Sequence, residues 1–372
     1  MGSVQSPKIH IVVGARPNYI KANPVYRALE RSGRFHLSLI HTGQHYDHTM
    51  SALFFDQLKM KTPDILLKVG SGSHAAQTAK ILERYETVLQ KNVPDLVMVF
   101  GDVNSTIACS LAAVKLHIPV AHVEAGLRSF DRAMPEEINR VLTDQISELL
   151  FITSPEARDN LITEGVSKEK IYFTGNTMID SLVAFTPLFR SSNVHSTLGV
   201  TRPYALMTFH RPSNVDAENN LQKLVRMLEK ITDRLNCVFP VHPRTLHKLE
   251  QFGLRQRLED NPRFFLTEPL GYLDFMRLQM DADVVLTDSG GVQEESTYFG
   301  VPCLTVRDNT ERPVTITQGT NRLIGTAYDN IPEEVARALA GGDRKNSIPE
   351  LWDGKAAERI AETVLEWFFS EK

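Results

Sequence analysis

The sequence predicts an α/β protein built from two doubly wound, Rossmann-like domains, and three observations support this prediction. The chain has 372 residues, more than one hydrophobic core usually accommodates. Short apolar runs of strand length alternate with helical stretches, which is typical of βαβ units and a parallel sheet. The alternation stops at residues 178–202 and then begins again. We therefore expect one domain over residues 1–185, a connection, and a second domain over residues 200–355; one large mixed sheet is the alternative.

The first domain is predicted to contain strands that are short apolar runs rich in β-formers: Ile9–Val13, Leu37–His41, Leu96–Phe100, Val120–Val123, Leu149–Ile152 and Ile171–Phe173. Between them lie segments with helical spacing of apolar residues: Pro17–Arg31, His74–Leu89, Ser105–Leu116 and Pro135–Ser147. Strand and helix thus follow one another as a doubly wound sheet requires.

The second domain repeats the pattern with the strands Tyr204–Thr208, Cys237–Val241, Phe264–Thr267, Val284–Thr287 and Cys303–Val306. Its predicted helices are Leu221–Leu235, Thr245–Gln256, Tyr272–Met280 and Val292–Tyr298. A last segment, Ala356–Phe369, is apolar at helical spacing and predicts a C-terminal helix.

The composition argues against several classes of protein. A net charge of −4 favours neither nucleic acid nor an anionic membrane as a partner. Cys109, Cys237 and Cys303 are isolated, so we expect a reducing compartment rather than disulfides or a zinc site. The N-terminus lacks a signal-peptide pattern, and no apolar run reaches the ~18 residues that span a membrane. We therefore expect a cytoplasmic protein.

Unusual polar clusters directly follow the predicted strands. They are Gly14-Ala-Arg-Pro, Thr42-Gly-Gln-His, Gly101-Asp-Val-Asn, Glu124-Ala-Gly-Leu-Arg, His210-Arg-Pro, His242-Pro-Arg and Asp288-Ser-Gly-Gly. In open α/β sheets, ligands bind outside the carboxyl ends of the strands. We therefore expect the clusters of both domains to line one shared cleft.

The cluster Asp288-Ser-Gly-Gly joins a strand to a helix and predicts an anion site. Glycines allow close approach of the backbone, and the N–H groups of a helix N-terminus suit a diphosphate; a capped tight turn is the alternative. A carboxylate further along, at Glu294 or Glu295, could accept hydrogen bonds from a ribose diol, or simply be a favourable first-turn charge.

Gly14-Ala-Arg-Pro-Asn-Tyr-Ile-Lys also joins strand to helix, but it matches neither GxGxxG nor the P-loop spacing. Nicotinamide and Walker-type ATP binding are therefore disfavoured, and we expect no cofactor. Arg16 and Lys21 could meet anionic oxygen, with solvated surface charges as the alternative.

Carboxylates and histidines at strand ends are the candidates for acid/base chemistry. Asp102, Glu124 and Glu136 stand where desolvation can shift a pKa, although an ordinary Glu136–Arg140 surface pair is the alternative for the last of them. His210 and His242 also follow predicted strands and are further candidates. The alternative for each is an ordinary hydrogen-bonded core histidine. A metal site around His45 and His48 is disfavoured because the zincin spacing and a third ligand are missing.

Together these motifs resemble the non-hydrolysing UDP-N-acetylglucosamine 2-epimerases over nearly the whole chain, in the order of that family. The motifs that carry the resemblance are Gly14-Ala-Arg-Pro with Lys21, Thr42-Gly-Gln-His, Gly101-Asp102, His122-Val-Glu-Ala-Gly-Leu-Arg128, Pro135-Glu-Glu-Ile-Asn-Arg140, His210-Arg211, Pro240-Val-His242, Asp288-Ser-Gly-Gly-Val-Gln-Glu-Glu295 and Thr310-Glu-Arg-Pro313.

The resemblance implies a glycosyltransferase-B-like fold whose two domains face a central cleft, with residues 356–372 packing back on the first domain, and a homodimer. It implies interconversion of UDP-N-acetylglucosamine and UDP-N-acetylmannosamine by anti elimination of UDP, through a bound 2-acetamidoglucal, and re-addition. Asp102, Glu124 and Glu136 match the acid/base carboxylates, and His210 matches a histidine of leaving-group stabilisation or proton transfer. Residues matching the UDP-binding positions are Arg16, Lys21, His242, Phe275, Ser289, Gly290, Gly291 and Glu295.

Three motifs depart from the usual family pattern. Gly-Thr-Arg-Pro-Glu is here Gly-Ala-Arg-Pro-Asn18, His-Arg-Arg-Glu-Asn is His210-Arg-Pro-Ser-Asn214, and Thr-Glu-Arg-Pro-Glu is Thr-Glu-Arg-Pro-Val314. These changes bear on which substituent the sugar carries at C3, C5 or C6 more than on the reaction class. A hydrolysing 2-epimerase, a glycosyltransferase on the same fold and a non-catalytic nucleotide-sugar sensor are the alternative functions.

Overall fold

The structure is a computed structural model that describes residues 6–44, 60–341 and 347–370, without the side chain of Arg16. The chain divides into two compact units. Unit 1 comprises Met1–Ala184 and Glu350–Lys372, and unit 2 comprises Phe185–Pro349.

Unit 1 contains a parallel sheet, with seven strands among its described residues, in the order β3-β2-β1-β4-β5-β6-β7. The strands are β1 (Lys8–Val13), β2 (His36–His41), β3 (Ile65–Leu66), β4 (Leu96–Phe100), β5 (Val120–Ala125), β6 (Leu149–Ile152) and β7 (Ile171–Phe173). The chain order reverses between β1 and β4, so these two strands flank the switch point at which doubly wound sheets bind ligands.

The helices of unit 1 connect these strands. They are α1 (Arg16–Ser32), α2 (His74–Lys91), α3 (Asn104–Lys115), α4 (Pro135–Ile146) and α5 (Pro155–Thr163), followed by α6 (Thr177–Arg190), which continues into unit 2. One core lies between the sheet and α2 and α3, where Ile81, Tyr85 and Val97 are fully buried. This apolar packing fixes the carboxyl ends of the central strands, from which the candidate site is built.

Unit 2 repeats the architecture with a parallel sheet in the order β10-β9-β8-β11-β12-β13. The strands are β8 (Tyr204–Thr208), β9 (Asn236–Pro240), β10 (Phe264–Thr267), β11 (Val284–Thr287), β12 (Cys303–Thr305) and β13 (Asn321–Leu323). The helices are α7 (Val194–Leu198), α8 (Pro212–Val215), α9 (Glu218–Ile231), α10 (Pro243–Gln251), α11 (Arg255–Glu259), α12 (Tyr272–Asp281), α13 (Gly290–Phe299), α14 (Val314–Thr317) and α15 (Ile331–Leu339). Its switch point lies between β8 and β11.

The structure departs from the sequence-based expectation in several elements, including the strands β3 and β13 and the helices α5 and α15, which were not predicted. Residues 178–202 are largely helical rather than an irregular connection, because Met178, Ile179 and Leu182 supply a buried face despite Pro187 inside the helix. The helix predicted over Thr245–Gln256 is two helices, α10 and α11, which are separated at Gly253, a residue with φ +65°.

The last helix, α16 (Ala356–Phe369), lies in unit 1, where it packs on α1. Its first N–H groups, at Ala356 and Ala357, donate to the carboxylate of Asp180 at 3.1 and 2.6 Å. Trp352 is fully buried just before it and donates its indole N–H to the carbonyl of Thr153. The end of the chain is thus tied to the first sheet by hydrogen bonds as well as by apolar packing.

Candidate active site

In unit 1 the loops after β1 and β4 are joined by the side chain of Asn18. Its amide donates to the carbonyl of Phe100 at 2.8 Å, and its oxygen accepts from the backbone N–H of Ala15 at 3.1 Å. Gly14 allows a close approach here, since a Cβ at this position would lie 2.1 Å from Oγ of Ser105. Asn18, at one of the positions that departs from the family pattern, therefore holds the two loops of the switch point together.

Glu124 lies on a β-bulge at the end of β5. The register of β5 with β6 shifts between Val123 and Ala125, and Glu124 has a φ of +75°, a conformation that an L residue rarely adopts. Its carboxylate is buried and forms an ion pair with the ammonium of Lys21 on α1. Such strained, over-determined backbone is characteristic of functional sites, and here it turns the carboxylate out of the strand.

Asp102 follows β4 directly and is held by α4. Arg140 donates to the same carboxylate oxygen of Asp102 from Nε and Nη2, at 3.0 and 2.8 Å, and Asn139 donates to the backbone carbonyl of Asp102 at 2.8 Å. The Asp102 carboxyl remains 29% exposed, so a ligand can reach it.

The two adjacent glutamates of α4 differ in their surroundings. Glu137 is buried and binds Arg140 together with the N–H and hydroxyl of Ser129 and the N–H of Phe130. Glu136 is half-buried and points away from this network, with no hydrogen bond to another described residue. Glu137 is therefore the structural glutamate, and Glu136 is the one accessible to a substrate.

In unit 2 the switch point brings together His210, after β8, and Asp288, after β11. The Nδ1 atom of His210 lies 3.0 Å from the Asp288 carboxylate, which also accepts from the N–H of Arg211 and the amide of Asn214. Burial alone would raise the pKa of Asp288, but the hydrogen bonds from His210, Arg211 and Asn214 outweigh it and hold this pKa below its ordinary value. The ionised Asp288 orients His210, whose side chain is 41% exposed.

His242 stands beside His210, with 5.6 Å between the ring centroids. Its Nδ1 accepts the backbone N–H of Arg244 at 3.2 Å and caps the start of α10. Burial, together with the nearby His210 and Arg244, lowers the pKa of His242. A neutral His242 presents Nε2 to a ligand as its available nitrogen.

The segment Asp288-Ser-Gly-Gly forms the N-terminus of α13, with Ser289 as its cap residue. The two glycines differ in what surrounds them. A Cβ on Gly290 would lie 2.5 Å from both Nη1 of Arg312 and Oε1 of Glu311, whereas a Cβ on Gly291 would meet no atom within 4 Å. The backbone at Gly291 is therefore open to a ligand, and that at Gly290 is packed against buried charges.

The remaining predicted site residues lie at various depths. Glu295 is buried on α13, and Phe275 of α12 is half-buried against the core beside it. Arg16 begins α1, but its side chain is outside the described residues, as are His45 and His48. In the described part of the chain, no group of three or more His, Cys, Asp or Glu side chains is arranged to hold a metal ion.

Several supporting residues were missed at the sequence level: Glu137, Asp144, Asp288 as a partner of histidine, and the Lys21–Glu124 pair. Three of the four have distant partners: 22 residues separate Asp144 from His122, 78 separate Asp288 from His210, and 103 separate Lys21 from Glu124. The partners of Glu137 lie within eight residues, and the local signal for it was the doubled glutamate of Pro135-Glu-Glu, whose two side chains leave the helix in different directions.

Comparison with known proteins identifies the family of this chain. The sequence profile described as UDP-N-acetylglucosamine 2-epimerase matches residues 27–365. The UDP-N-acetylglucosamine 2-epimerase of Methanocaldococcus jannaschii is 43% identical over 359 residues, which cover 95% of this chain and 97% of the relative. The chain belongs to the UDP-N-acetylglucosamine 2-epimerase family. This confirms the family that the sequence motifs predicted.

Other members of the UDP-N-acetylglucosamine 2-epimerase family are also similar. The UDP-2,3-diacetamido-2,3-dideoxy-D-glucuronate 2-epimerase of Pseudomonas aeruginosa is 41% identical over 360 residues, covering 95% of this chain and 98% of the relative. The crystal structure of the M. jannaschii enzyme in complex with UDP-GlcNAc and UDP has a TM-score of 0.89 at 42% identity, covering 96% of this chain and 99% of that chain.

The fold class of this epimerase family member extends to more distant proteins. The glycotransferase of kitacinnamycin is 13% identical with a TM-score of 0.60, covering 97% of this chain and 98% of that chain, a likeness of fold alone. The predicted class of two Rossmann-like domains, similar to glycosyltransferase B, is thereby confirmed. Among the described residues, no helix is long and apolar enough to cross a membrane.

Proposed function

We propose that this protein epimerises C2 of UDP-N-acetylglucosamine, or of a close UDP-2-acetamido sugar, by eliminating and re-adding UDP. The observation that carries this proposal is Glu124, a buried carboxylate on a strained bulge, paired with Lys21 beside the Asp102 turn. Family relatives named for this reaction and for a diacetamido-glucuronate substrate support the substrate class.

The reaction needs a base at C2 and an acid for the opposite face. The base removes the C2 proton as the C1–O bond breaks, and the bond electrons leave with the phosphate oxygen of UDP, giving the 2-acetamidoglucal. UDP oxygen then returns to C1 while a proton reaches C2 from the other face. Asp102, Glu124 and Glu136 are the candidates for these transfers and for stabilising positive charge at C1. Lys21 assists by holding the Glu124 carboxylate in place through their ion pair, in addition to the UDP-binding role that the motif suggests.

Departure of UDP places negative charge on phosphate, which the groups of unit 2 are suited to meet. His210, oriented by Asp288, the hydroxyl of the cap residue Ser289, and the N–H groups of Gly290 and Gly291 at the start of α13 are the donors for this charge. We assign Arg16 and His242 to the same anion, Glu295 to the ribose and Phe275 to the uracil face. The chain needs no further group to carry the hydrogen, because both hydrogens move as protons.

Proton NMR of UDP-N-acetylglucosamine with the protein in deuterated water tests the proposal. We expect UDP-N-acetylmannosamine that carries deuterium at C2, since the glycal regains its proton from a solvent-exchanged acid. Release of free N-acetylmannosamine and UDP would instead identify a hydrolase. Tight binding without turnover would identify a sensor, and full retention of the original hydrogen would exclude elimination.

The same assay defines the sugar substituents, using UDP-2,3-diacetamido-glucuronate beside UDP-N-acetylglucosamine. A ratio of kcat/KM above tenfold for either substrate identifies which substituents the site accepts. We further propose a cytoplasmic homodimer. The burial of all three cysteines as free thiols fits a reducing compartment, and sedimentation velocity at assay concentration tests the dimer.

A further inference from the structure

The ring of His122, which the proposed reaction does not use, lies between the two loops that carry catalytic carboxylates. It is fully buried on β5, two residues before Glu124. Its Nε2 lies 2.9 Å from the backbone carbonyl of Gly101, and its Nδ1 lies 2.6 Å from the Asp144 carboxylate of α4. Both ring nitrogens therefore face hydrogen-bond acceptors.

A neutral imidazole has only one N–H, so it cannot satisfy both contacts. Whichever nitrogen lacked a proton would place its lone pair against an oxygen lone pair at hydrogen-bond distance. The second proton must therefore reside on His122 or on Asp144. Asp144 also accepts at Oδ2 from Nη2 of Arg128 at 2.7 Å and from the N–H of Gly126 at 3.1 Å. The positive charge of Arg128 favours the ionised form of Asp144, which places the second proton on His122.

The charges around this pair balance. Arg128 donates to Asp144 and also, from Nε and Nη2, to Glu164 at 2.8 and 2.6 Å. Two cations, His122 and Arg128, thus meet two carboxylates, Asp144 and Glu164. Burial by itself would raise the pKa of Asp144, but His122 and Arg128 outweigh it and hold this pKa below its ordinary value.

We propose that His122 is a doubly protonated positioning residue that, with Asp144, clamps the Gly101–Asp102 turn to the bulge of Glu124. The Gly101 carbonyl is bonded to the ring, and the Gly101 N–H donates to the carbonyl of Val123 at 3.0 Å. At the other end of the bulge, the Gly126 N–H is held by Asp144. The ion pair therefore holds Gly101, which in turn holds the carbonyl of Val123 before Glu124, and it holds the N–H of Gly126 two residues after Glu124.

The clamp matters because Glu124 has an unfavourable backbone conformation, with a φ of +75°. For a residue other than glycine, such a conformation persists only where the surroundings impose it. Gly101 and Gly126, with φ values of +64° and +76°, adopt theirs without strain and allow the chain to turn on either side. A displacement of about 1 Å at a catalytic group can lower turnover about 100-fold. The consequence for turnover rests on the proposed epimerase reaction, whereas the charge state of His122 rests on its two hydrogen bonds and on the charge of Arg128 beside Asp144.

The charge state is tested on the full-length wild-type protein by NMR with nitrogen-15-labelled histidine. We expect one-bond N–H couplings on both ring nitrogens of His122 at neutral pH, with assignment by the loss of these signals in His122→Asn. His10 is the internal control: it is buried between the hydroxyl of Tyr85 and the amide of Asn92, and burial lowers its pKa to about 4. It should show one protonated nitrogen. A deprotonated nitrogen on His122 would overturn the proposal.

Two variants of His122 each remove one of the two hydrogen bonds of its ring, which allows a kinetic test. His122→Asn keeps a donor near the position of Nδ1 and loses the bond to Gly101, whereas His122→Gln keeps a donor near Nε2 and loses the bond to Asp144. We expect kcat to fall about 10- to 100-fold in both, with KM and the Kd for UDP changed by less than about threefold. A merely structural role would instead lower the melting temperature and leave kcat unchanged.

His10→Gln is the matched control, since it removes a buried histidine of the same sheet away from the carboxyl ends of the strands. We expect it to reduce stability without changing kcat. Turnover within threefold of wild type in both His122 variants would overturn the clamp. Absence of epimerisation by the wild type would refute the proposed function and the catalytic consequence together, while the NMR result decides the doubly protonated pair independently.

Discussion

The paired glycines at the start of α13 allow packing and ligand binding to be separated. We predict opposite effects of Gly290→Ala and Gly291→Ala on stability. The new methyl at Gly290 would lie 2.5 Å from Nη1 of Arg312 and Oε1 of Glu311, about 1 Å inside an ordinary contact. Neither atom can retreat easily, because Arg312 also pairs with Glu294 at 3.0 Å and all three side chains are buried.

The cost follows from overpacking in a rigid interior, which is about 1–3 kcal/mol. For a unit of this size, about 2 kcal/mol corresponds to a melting temperature lower by about 4–8 °C. Gly291→Ala meets no atom, and replacing a helical glycine by alanine stabilises by about 0.5–1 kcal/mol. We therefore expect its melting temperature to stay the same or rise by a few degrees.

The same substitution should have a different effect on ligand binding. The open space at Gly291 is where we place the diphosphate, so the added methyl should weaken UDP binding about tenfold, the equivalent of one charge-assisted hydrogen bond. Differential scanning calorimetry and isothermal titration with UDP measure both quantities on the same three proteins. Equal losses of melting temperature would refute the packing argument. An unchanged Kd for UDP in Gly291→Ala would refute the position of the diphosphate.

Three further predictions concern other parts of the chain. We expect turnover to fall about 100-fold or more, at nearly unchanged UDP affinity, in each of Asp102→Asn, Glu124→Gln and Glu136→Gln, because each change removes a candidate proton-transfer group. Near-normal turnover in all three variants would show the site assignment to be wrong. Because the pKa of His10 is about 4 against an ordinary 6.5, the unfolded chain binds a proton there that the folded chain does not, and stability should fall as the pH drops from 6.5 towards 4. Urea unfolding at pH 7 and pH 5 should therefore show a loss that is about 2 kcal/mol smaller in His10→Gln than in the wild type. Asp180→Ala removes the acceptor for the first N–H groups of α16 and should lower the free energy of unfolding by about 1–2 kcal/mol, measured as faster proteolysis of the C-terminal segment. Asp180→Asn keeps an oxygen acceptor and should lower this free energy less.

The sequence alone predicted the architecture well because apolar periodicity is a local property. Runs such as Leu96–Phe100 and Val284–Thr287 are buried strands with the predicted bounds. The strand Ile65–Leu66 was missed because two residues are too few to show a pattern, and Asn321–Leu323 was missed because Asn-Arg-Leu is not an apolar run. The equally short Ile171–Phe173 was predicted because all three of its residues are apolar or aromatic. The helix Thr177–Arg190 was hidden by Pro187, which normally breaks a helix.

The sequence also determined which side chains stand at the carboxyl ends of the strands, because parallel strands bring the residues that follow them to one edge of the sheet. It did not determine the partners of those side chains. That Glu124 pairs with Lys21 and that His122 joins Gly101 to Asp144 depends on packing between segments separated in the chain. That Glu137 rather than Glu136 is enclosed depends on how the loop at Ser129 and Phe130 folds back on the helix. The physical reason is that local periodicity sets the direction of a side chain, whereas its charge state and hydrogen bonds are set by whatever the folded chain brings beside it.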